Sequence, residues 1–288
     1  MNAFDAKNAL TGVRAIITGA NQGLGAEIAR QYTAAGAQLC LCARDLDKLQ
    51  AVADSLPNKP VLVRADVANP QDCERVVAGA IAQLGGVDVL VNNAGVYGPK
   101  GAIADIDWTE WVQAMHINVM GSVMMARLVV PHMVAAGRGK IIQLSGGGAT
   151  NPLPNISAYA ASKAAVVRFA ETLAEELRGT GVDVNCIAPG ALNTRMLEEV
   201  IDAGPDAVGA AFYERALKQR AQGGAGLGKG AELAVYLASK ASDGLTAKLL
   251  SAVWDPWREF HTHTEDLNTD IYTLRRIVPK DRGMAWGD

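Results

Sequence analysis

Short apolar runs recur along the chain at intervals that leave room for one helix between each pair. Residues 13–18, 38–43, 61–65, 87–91, 140–144 and 182–187 are apolar on mostly consecutive rather than alternate positions. A strand with one solvated face would alternate, so the pattern predicts strands buried on both faces. Between them, mixed apolar and polar positions at helical spacing predict helices over 26–35, 47–55, 70–84, 107–136 and 158–178. A seventh strand is expected over 248–253. Strands alternating with helices imply right-handed βαβ units, hence an α/β fold with a doubly wound parallel sheet. In such a sheet ligands bind beyond the carboxyl ends of the strands, where the strand order reverses.

The helix expected over 107–136 is apolar most of the way round, more than one buried stripe requires. It should therefore pack on two sides. No uninterrupted apolar run approaches the ~20 residues that span a bilayer, so no membrane association is expected. Two stretches depart from the pattern. Residues 202–230 are rich in Ala and Gly around a helical piece, and after Ser251 the chain turns aromatic and polar, with Trp254, Trp257 and Trp286.

Composition narrows the partners. The 288 residues are 49% apolar, which suits one large domain. Twenty-seven basic and 30 acidic residues give a net charge of −3, with no basic field for nucleic acid. Cys40, Cys42, Cys73 and Cys186 form no C-x-x-C pair and read as small buried hydrophobes of a reducing compartment. The opening MNAFDAKNAL lacks a basic stretch followed by an apolar one, so the expected location is cytoplasmic. His116 and His132 have no ligand company. His261 and His263 lie near Glu265 and Asp266, but no metal is expected there either.

Between the first strand and the first helix lies TGANQGLG, residues 18–25. Gly19 permits a sharp turn, Gly23 lets the backbone approach a pyrophosphate, and Gly25 lets the helix pack closely on the sheet. The helix start then offers free N–H groups and a partial positive charge to phosphates. A plain glycine turn looks the same in isolation; the strand before it and the helix after it favour the dinucleotide reading.

The spacing G-x-x-x-G-x-G resembles the fingerprint TGxxxGxG of the short-chain dehydrogenase/reductase family. Further matches follow in that family's order: Asp66-Val67, Asn92-Asn93-Ala94-Gly95, Asn118 in NVMG, Tyr159 and Lys163 in YAASK, and Pro189-Gly190 with Thr194. The resemblance covers roughly residues 10–250. It implies a Rossmann-type sheet of about seven strands in a catalytic unit, 1–253, with 202–230 as a mobile substrate-binding segment and 254–288 as a C-terminal extension. It implies that the cofactor is bound by Gly19, Asn21, Gln22, Gly23, Leu24, Gly25, Arg44, Asp66, Val67, Asn93, Ala94, Gly95, Tyr159, Lys163, Pro189, Gly190, Leu192 and Thr194. Asp66 and Val67 would hold the adenine.

Tyr159 and Lys163 are four residues apart on an expected helix, so they share a face. A free tyrosine has a pKa of ~10, too high for a base at neutral pH. A lysine ammonium beside it favours the phenolate, and an oxidised nicotinamide adds positive charge. Tyr159 can then give a proton to a carbonyl oxygen or take one from an alcohol. By resemblance, Lys163 also holds the cofactor ribose, and Asn118 kinks its helix and holds a water that links Lys163 to solvent. The family's third catalytic group is a serine thirteen residues before the tyrosine, but that position is Gly146 here. Ser145 is the nearest serine; Thr150, Asn151 or a backbone amide are its alternatives.

Cofactor choice turns on the end of the second strand. An acid there would bind the ribose 2′-hydroxyl of NAD, whereas an arginine accommodates the 2′-phosphate of NADP. Ala43 stands at the acid's usual place and Arg44 follows, so NADP is expected, with NAD as the alternative; Gln22, where many NADP users carry a basic residue, argues the other way. The expected function is hydride transfer between a nicotinamide and a small-molecule alcohol or carbonyl, the substrate including the possibility of a sugar derivative. The rivals are a sugar-modifying epimerase or dehydratase of the wider superfamily, and a dinucleotide-binding sensor with weakened catalysis. Relatives commonly assemble through the 107–136 helix and the YAASK helix, so a homodimer or tetramer is expected. The extension's aromatic rings and Arg258, Arg275, Arg276 and Arg282 suit either a cover over a substrate site or a tail packed for stability.

Overall fold

Side chains on successive strand residues face opposite sides of a sheet, and both sides of this one are dry. In the computed structural model, which describes residues 4–286, Ile17, Leu41, Val91 and Ile142 point to one side, Ile16, Cys40, Leu90 and Ile141 to the other. The first three and last two residues of the expected 1–253 and 254–288 units lie outside the described residues. Seven strands, β1 Arg14–Thr18, β2 Gln38–Ala43, β3 Val61–Arg64, β4 Val89–Asn92, β5 Gly139–Leu144, β6 Val182–Ala188 and β7 Lys248–Ser251, form one parallel sheet in the order β3-β2-β1-β4-β5-β6-β7. The order reverses between β1 and β4.

Helices α1 (Gly23–Ala34) and α9 (Leu227–Ala238) cover one side, contributing Ile28, Tyr32, Leu233 and Leu237. The other side is covered by α3 (Pro70–Leu84), α5 (Gly121–Ala136) and α6 (Ser157–Glu176), with Val76, Met125, Val129 and Val167. All four cysteines are free and buried in this second layer, as small hydrophobes. The short α2 (Leu46–Asp54) starts on Asp45, whose carboxylate accepts from Lys48 N at 3.0 Å.

The helix expected over 107–136 is interrupted. It begins as α4 (Trp108–Met115), widens into a π turn over His116–Met120, and resumes as α5. The stretch Trp108–Ala136 contains an 18-residue window of mean hydropathy 1.5 and is long and apolar enough to cross a membrane, yet only 33% of that window is buried in the protomer. Residues 202–230 supply the end of α7 (Arg195–Val208), all of α8 (Ala210–Gln222) and the start of α9. Leu197, Val200, Val208 and Ala216 give these helices a small core of their own, against which Tyr97 packs.

The extension folds back on the body. Trp257, Phe260 and Leu267 enter the layer formed by α1 and α9. The chain then follows the outer edge of β7: Leu249 N donates to Tyr272 O at 2.7 Å, and Lys248 Nζ donates to Thr269 O and Ile271 O at 2.7 and 3.0 Å. Leu274 N donates to the Glu171 carboxylate at 2.6 Å, and Arg168 donates to Leu274 O, which ties the extension to α6.

Candidate active site

The loops after β1 and β4, where the strand order reverses, are fastened together. Thr18 Oγ1 accepts from Asn93 N and Ala94 N at 3.0 Å each, while Asn93 Nδ2 donates to Thr18 O and Gly19 O at 2.9 and 3.0 Å. Gly19 has φ +64°, and a Cβ there would stand 2.9 Å from Ala94 Cα. A Cβ on Gly25 would stand 2.4 Å from Gly19 O, so the first turn of α1 passes against the loop backbone only because both positions are glycine. Gln22, which precedes α1, makes no side-chain cap, and the helix's first N–H groups are left to a ligand.

A cavity of about 700 Å³ opens from this turn. Every residue expected to bind the cofactor, from Gly19 to Thr194, lines it, and so does Ser145. Lys48 and Tyr97 line it too, which the sequence reading missed. Beside β2, Arg44 is more than half exposed and lies 4.0 Å from Asp66, and Lys48 Nζ is 3.3 Å from Asp45. The backbone N–H of Lys48 holds the Asp45 carboxyl below its ordinary range. The glycine cradle, the uncapped helix start and these cations fit a dinucleotide.

At the other end of the cavity, α6 presents Tyr159 and Lys163 one turn apart. Lys163 is buried; its Nζ donates to Leu144 O at 2.6 Å and lies 5.6 Å from the centre of the Tyr159 ring. Burial lowers its pKa to about 8. Asn118 stands behind rather than on the cavity wall. Its Oδ1 accepts from Val96 N at 2.9 Å, and its Nδ2 donates to Val96 O at 2.8 Å and Ser162 Oγ at 2.9 Å. This clamp sits in the π turn and fixes the loop after Gly95 to α6.

The balance at Tyr159 differs from the one expected. Burial, and next the neighbouring Tyr97, raise its pKa, and Lys163 does not offset them. In the cofactor-free protein the phenol is therefore an acid, and its use as a base needs further positive charge in the cavity.

A Cβ at Gly146 would stand 2.4 Å from Tyr159 Oη, so the side-chain direction facing the phenol belongs to 146. Ser145 reaches the wall, but its Oγ is buried and has no hydrogen-bond partner among the described residues. Thr150 and Asn151 are exposed, pair with each other at 3.1 Å, and do not line the cavity. Tyr97 meets Tyr159 edge to face, ring centres 4.7 Å apart. Lys100 Nζ is 5.9 Å from the Tyr97 ring centre and 3.8 Å from Glu199 on α7. Burial pushes the Tyr97 phenol up to about 12.

Among the described residues, no part of the extension lines this cavity, whose last lining residue is Leu227. The tail packs Trp257, Phe260 and Tyr272 on the core, leaves Trp254 and Trp286 exposed, and pairs Arg275 with Asp270 and Asp281. Among the described residues no group of three or more His, Cys, Asp or Glu is placed to hold a metal.

This fold and site define a class of nucleotide-dependent oxidoreductases, and comparison with known proteins agrees. The profile of the short chain dehydrogenases matches residues 14–204. The chain belongs to the short-chain dehydrogenase/reductase family. It is 35% identical over 183 residues to dehydrogenase/reductase SDR family member 4 of Sus scrofa; the match takes in 62% of this chain and 66% of that protein, just under two thirds of its length. A short-chain dehydrogenase/reductase from Mycobacterium marinum superposes with a TM-score of 0.75 at 32% identity, covering 84% of this chain and 94% of the other. A gluconate 5-dehydrogenase from Burkholderia cenocepacia J2315, solved with NADP and tartrate, superposes with a TM-score of 0.74 at 28% identity, covering 85% and 95%.

Proposed function

We propose that the protein interconverts an alcohol and a carbonyl compound with NADP(H), using Tyr159 as the proton donor and acceptor. The observation that carries this reading is the placement of Tyr159 and Lys163 on one face of α6, in the wall of the cavity that begins at the glycine turn. When bound, the nicotinamide supplies or accepts the hydride. The protein's part is to align the reactants and move the proton. Tyr159 Oη gives its proton to the carbonyl oxygen in reduction and takes it back in oxidation. Lys163 would hold the ribose, and the positive charge that an oxidised nicotinamide adds would favour the phenolate, which Lys163 alone does not; Asn118 keeps the loop after Gly95 in register with α6.

NADP is favoured over NAD because Ala43, not an acid, closes β2, while Arg44 and Lys48 border the same end of the cavity. Two cations there suit a 2′-phosphate. A sugar derivative is the first substrate class to try, since a similar fold carries gluconate 5-dehydrogenase. A homodimer or tetramer is favoured by the largely unburied apolar face of Trp108–Ala136.

The test is NADPH and NADH oxidation over a panel of ketones, diketones and keto sugars, with Tyr159→Phe as control. Turnover by the wild type, a preference for NADPH in kcat/KM, and a loss of ~10²-fold or more in Tyr159→Phe are expected. A strong preference for NADH would reverse the cofactor assignment. Cofactor binding without turnover of any compound would favour a sensor.

A further inference from the structure

A carbonyl oxygen that takes on negative charge needs donors for both of its lone pairs, and Tyr159 serves one. The other donor must come from the wall beside Tyr159. Position 146 cannot supply it: even a methyl group there would stand 2.4 Å from Tyr159 Oη. The backbone at Gly146 is extended, φ −178° and ψ 175°, so the side chain of Ser145 leaves the strand on the side opposite to the one that faces Tyr159 Oη, and although Ser145 reaches the wall its Oγ is buried. Thr150 and Asn151 lie outside the wall.

We propose that the Tyr97 hydroxyl is this second donor, a catalytic residue of the reaction. The inference rests on the reading of Tyr159 as the acid–base group. Tyr97 lines the cavity next to Tyr159, its ring centre 4.7 Å away, and its hydroxyl has no protein partner among the described residues. The ring is held from behind by the core of α7 and α8, and it follows directly on Val96, whose backbone Asn118 grips from both sides. The phenol is thus fixed before substrate arrives. A phenol is also a stronger donor to an oxyanion than an aliphatic alcohol, being much the more acidic. In reduction the proton that reaches the substrate oxygen comes from Tyr159. Tyr97 keeps its own proton and lends only the hydrogen bond, so no bond at Tyr97 is made or broken. Tyr97 also stands between the reacting centre and α7, so the substituent on that side of the carbonyl meets an aromatic wall.

The experiment compares wild type, Tyr97→Phe, Ser145→Ala and Tyr159→Phe, as full-length protein, on the fastest ketone of the panel with NADPH. Tyr97→Phe keeps the ring and its packing, and an unchanged Tm verifies this. The expected result is a kcat lower by ~10²–10³-fold, the usual loss for one oxyanion donor, with KM within about threefold. A kcat within about twofold of wild type overturns the proposal, as does a change confined to KM. So does a loss of tenfold or more in Ser145→Ala while Tyr97→Phe holds its kcat. In those cases a dead Tyr159→Phe leaves the function reading standing. An active Tyr159→Phe, or a wild type that reduces no ketone, removes that reading and this proposal with it.

Discussion

Lys163 shows how much one buried charge can do before any ligand arrives. Its pKa in the folded chain is about 8, against 10.5 for an ordinary lysine, because burial penalises the ammonium. Between those values the unfolded chain binds more protons than the folded one, so stability rises with pH through that window. Below pH 8 the penalty is fully present. Urea unfolding of the cofactor-free protein at pH 7 and 9.5 should show wild type gaining roughly 2 kcal/mol on Lys163→Met, at 1.36 kcal/mol per pKa unit. A difference that does not change with pH would mean that the amine is solvated. Gly146 is the opposite case, a residue whose value is the space it leaves. Gly146→Ala should push the Tyr159 hydroxyl aside and lower kcat by ~10²-fold, the cost of about 1 Å of misplacement. Cofactor affinity should be kept, and calorimetric titration with NADP+ checks that half. The sequence shows the missing serine plainly. It does not show that the vacant direction is occupied by the phenol itself, because that depends on how α6 is seated against the end of β5.

Among the elements, the strands were legible because their signal is local. Burial on both faces makes consecutive apolar positions, and each observed strand lies within two residues of its run, as β2 and β5 illustrate. The glycine turn was legible for a related reason: Gly19 takes a left-handed φ of +64°, and Gly25 stands against the carbonyl of Gly19 six residues back, both local demands. The π turn lies where the resemblance expected Asn118 to kink its helix, but hydrophobic periodicity alone does not show it, since Asn118 holds Val96, a partner twenty-two residues away. Tyr97 and Lys48 were missed because neither lies on a periodic face or in a glycine-marked turn; the cavity alone joins them to the site. Two predictions belong at this scale. Gly25→Ala, with its methyl 2.4 Å from Gly19 O, should separate α1 from the loop and weaken NADP+ binding at least tenfold by calorimetry. Affinity within twofold of wild type would show that the helix start tolerates the shift. Asn118→Leu should free the loop after Gly95, lowering both Tm and kcat, since three hydrogen bonds lose their partner. Preserved Tm with lost kcat would instead favour the water-holding role.

For the whole molecule, the extension is a strap rather than a lid. Ending the chain after Asn268 would keep Trp257, Phe260 and Leu267 in the core, each worth ~1.5–3 kcal/mol of burial. It would remove the partners of Lys248 and Glu171. The shortened protein should stay folded with a Tm lower by several degrees, and its kcat/KM should hold, since no described residue beyond Leu227 lines the cavity. A kcat/KM that collapsed at unchanged Tm and unchanged assembly would give the tail a role in recognition. The strap has one more effect. Of the sheet's two borders, β7 is already engaged by the carbonyls of Thr269, Ile271 and Tyr272, and the remaining one is β3, four residues long and ending in Arg64. A free border is where foreign strands add on, and a short, charge-ended one offers little purchase. The full-length enzyme should therefore stay clear on storage at high concentration, whereas the strapless chain, with β7 laid open, should slowly turn cloudy.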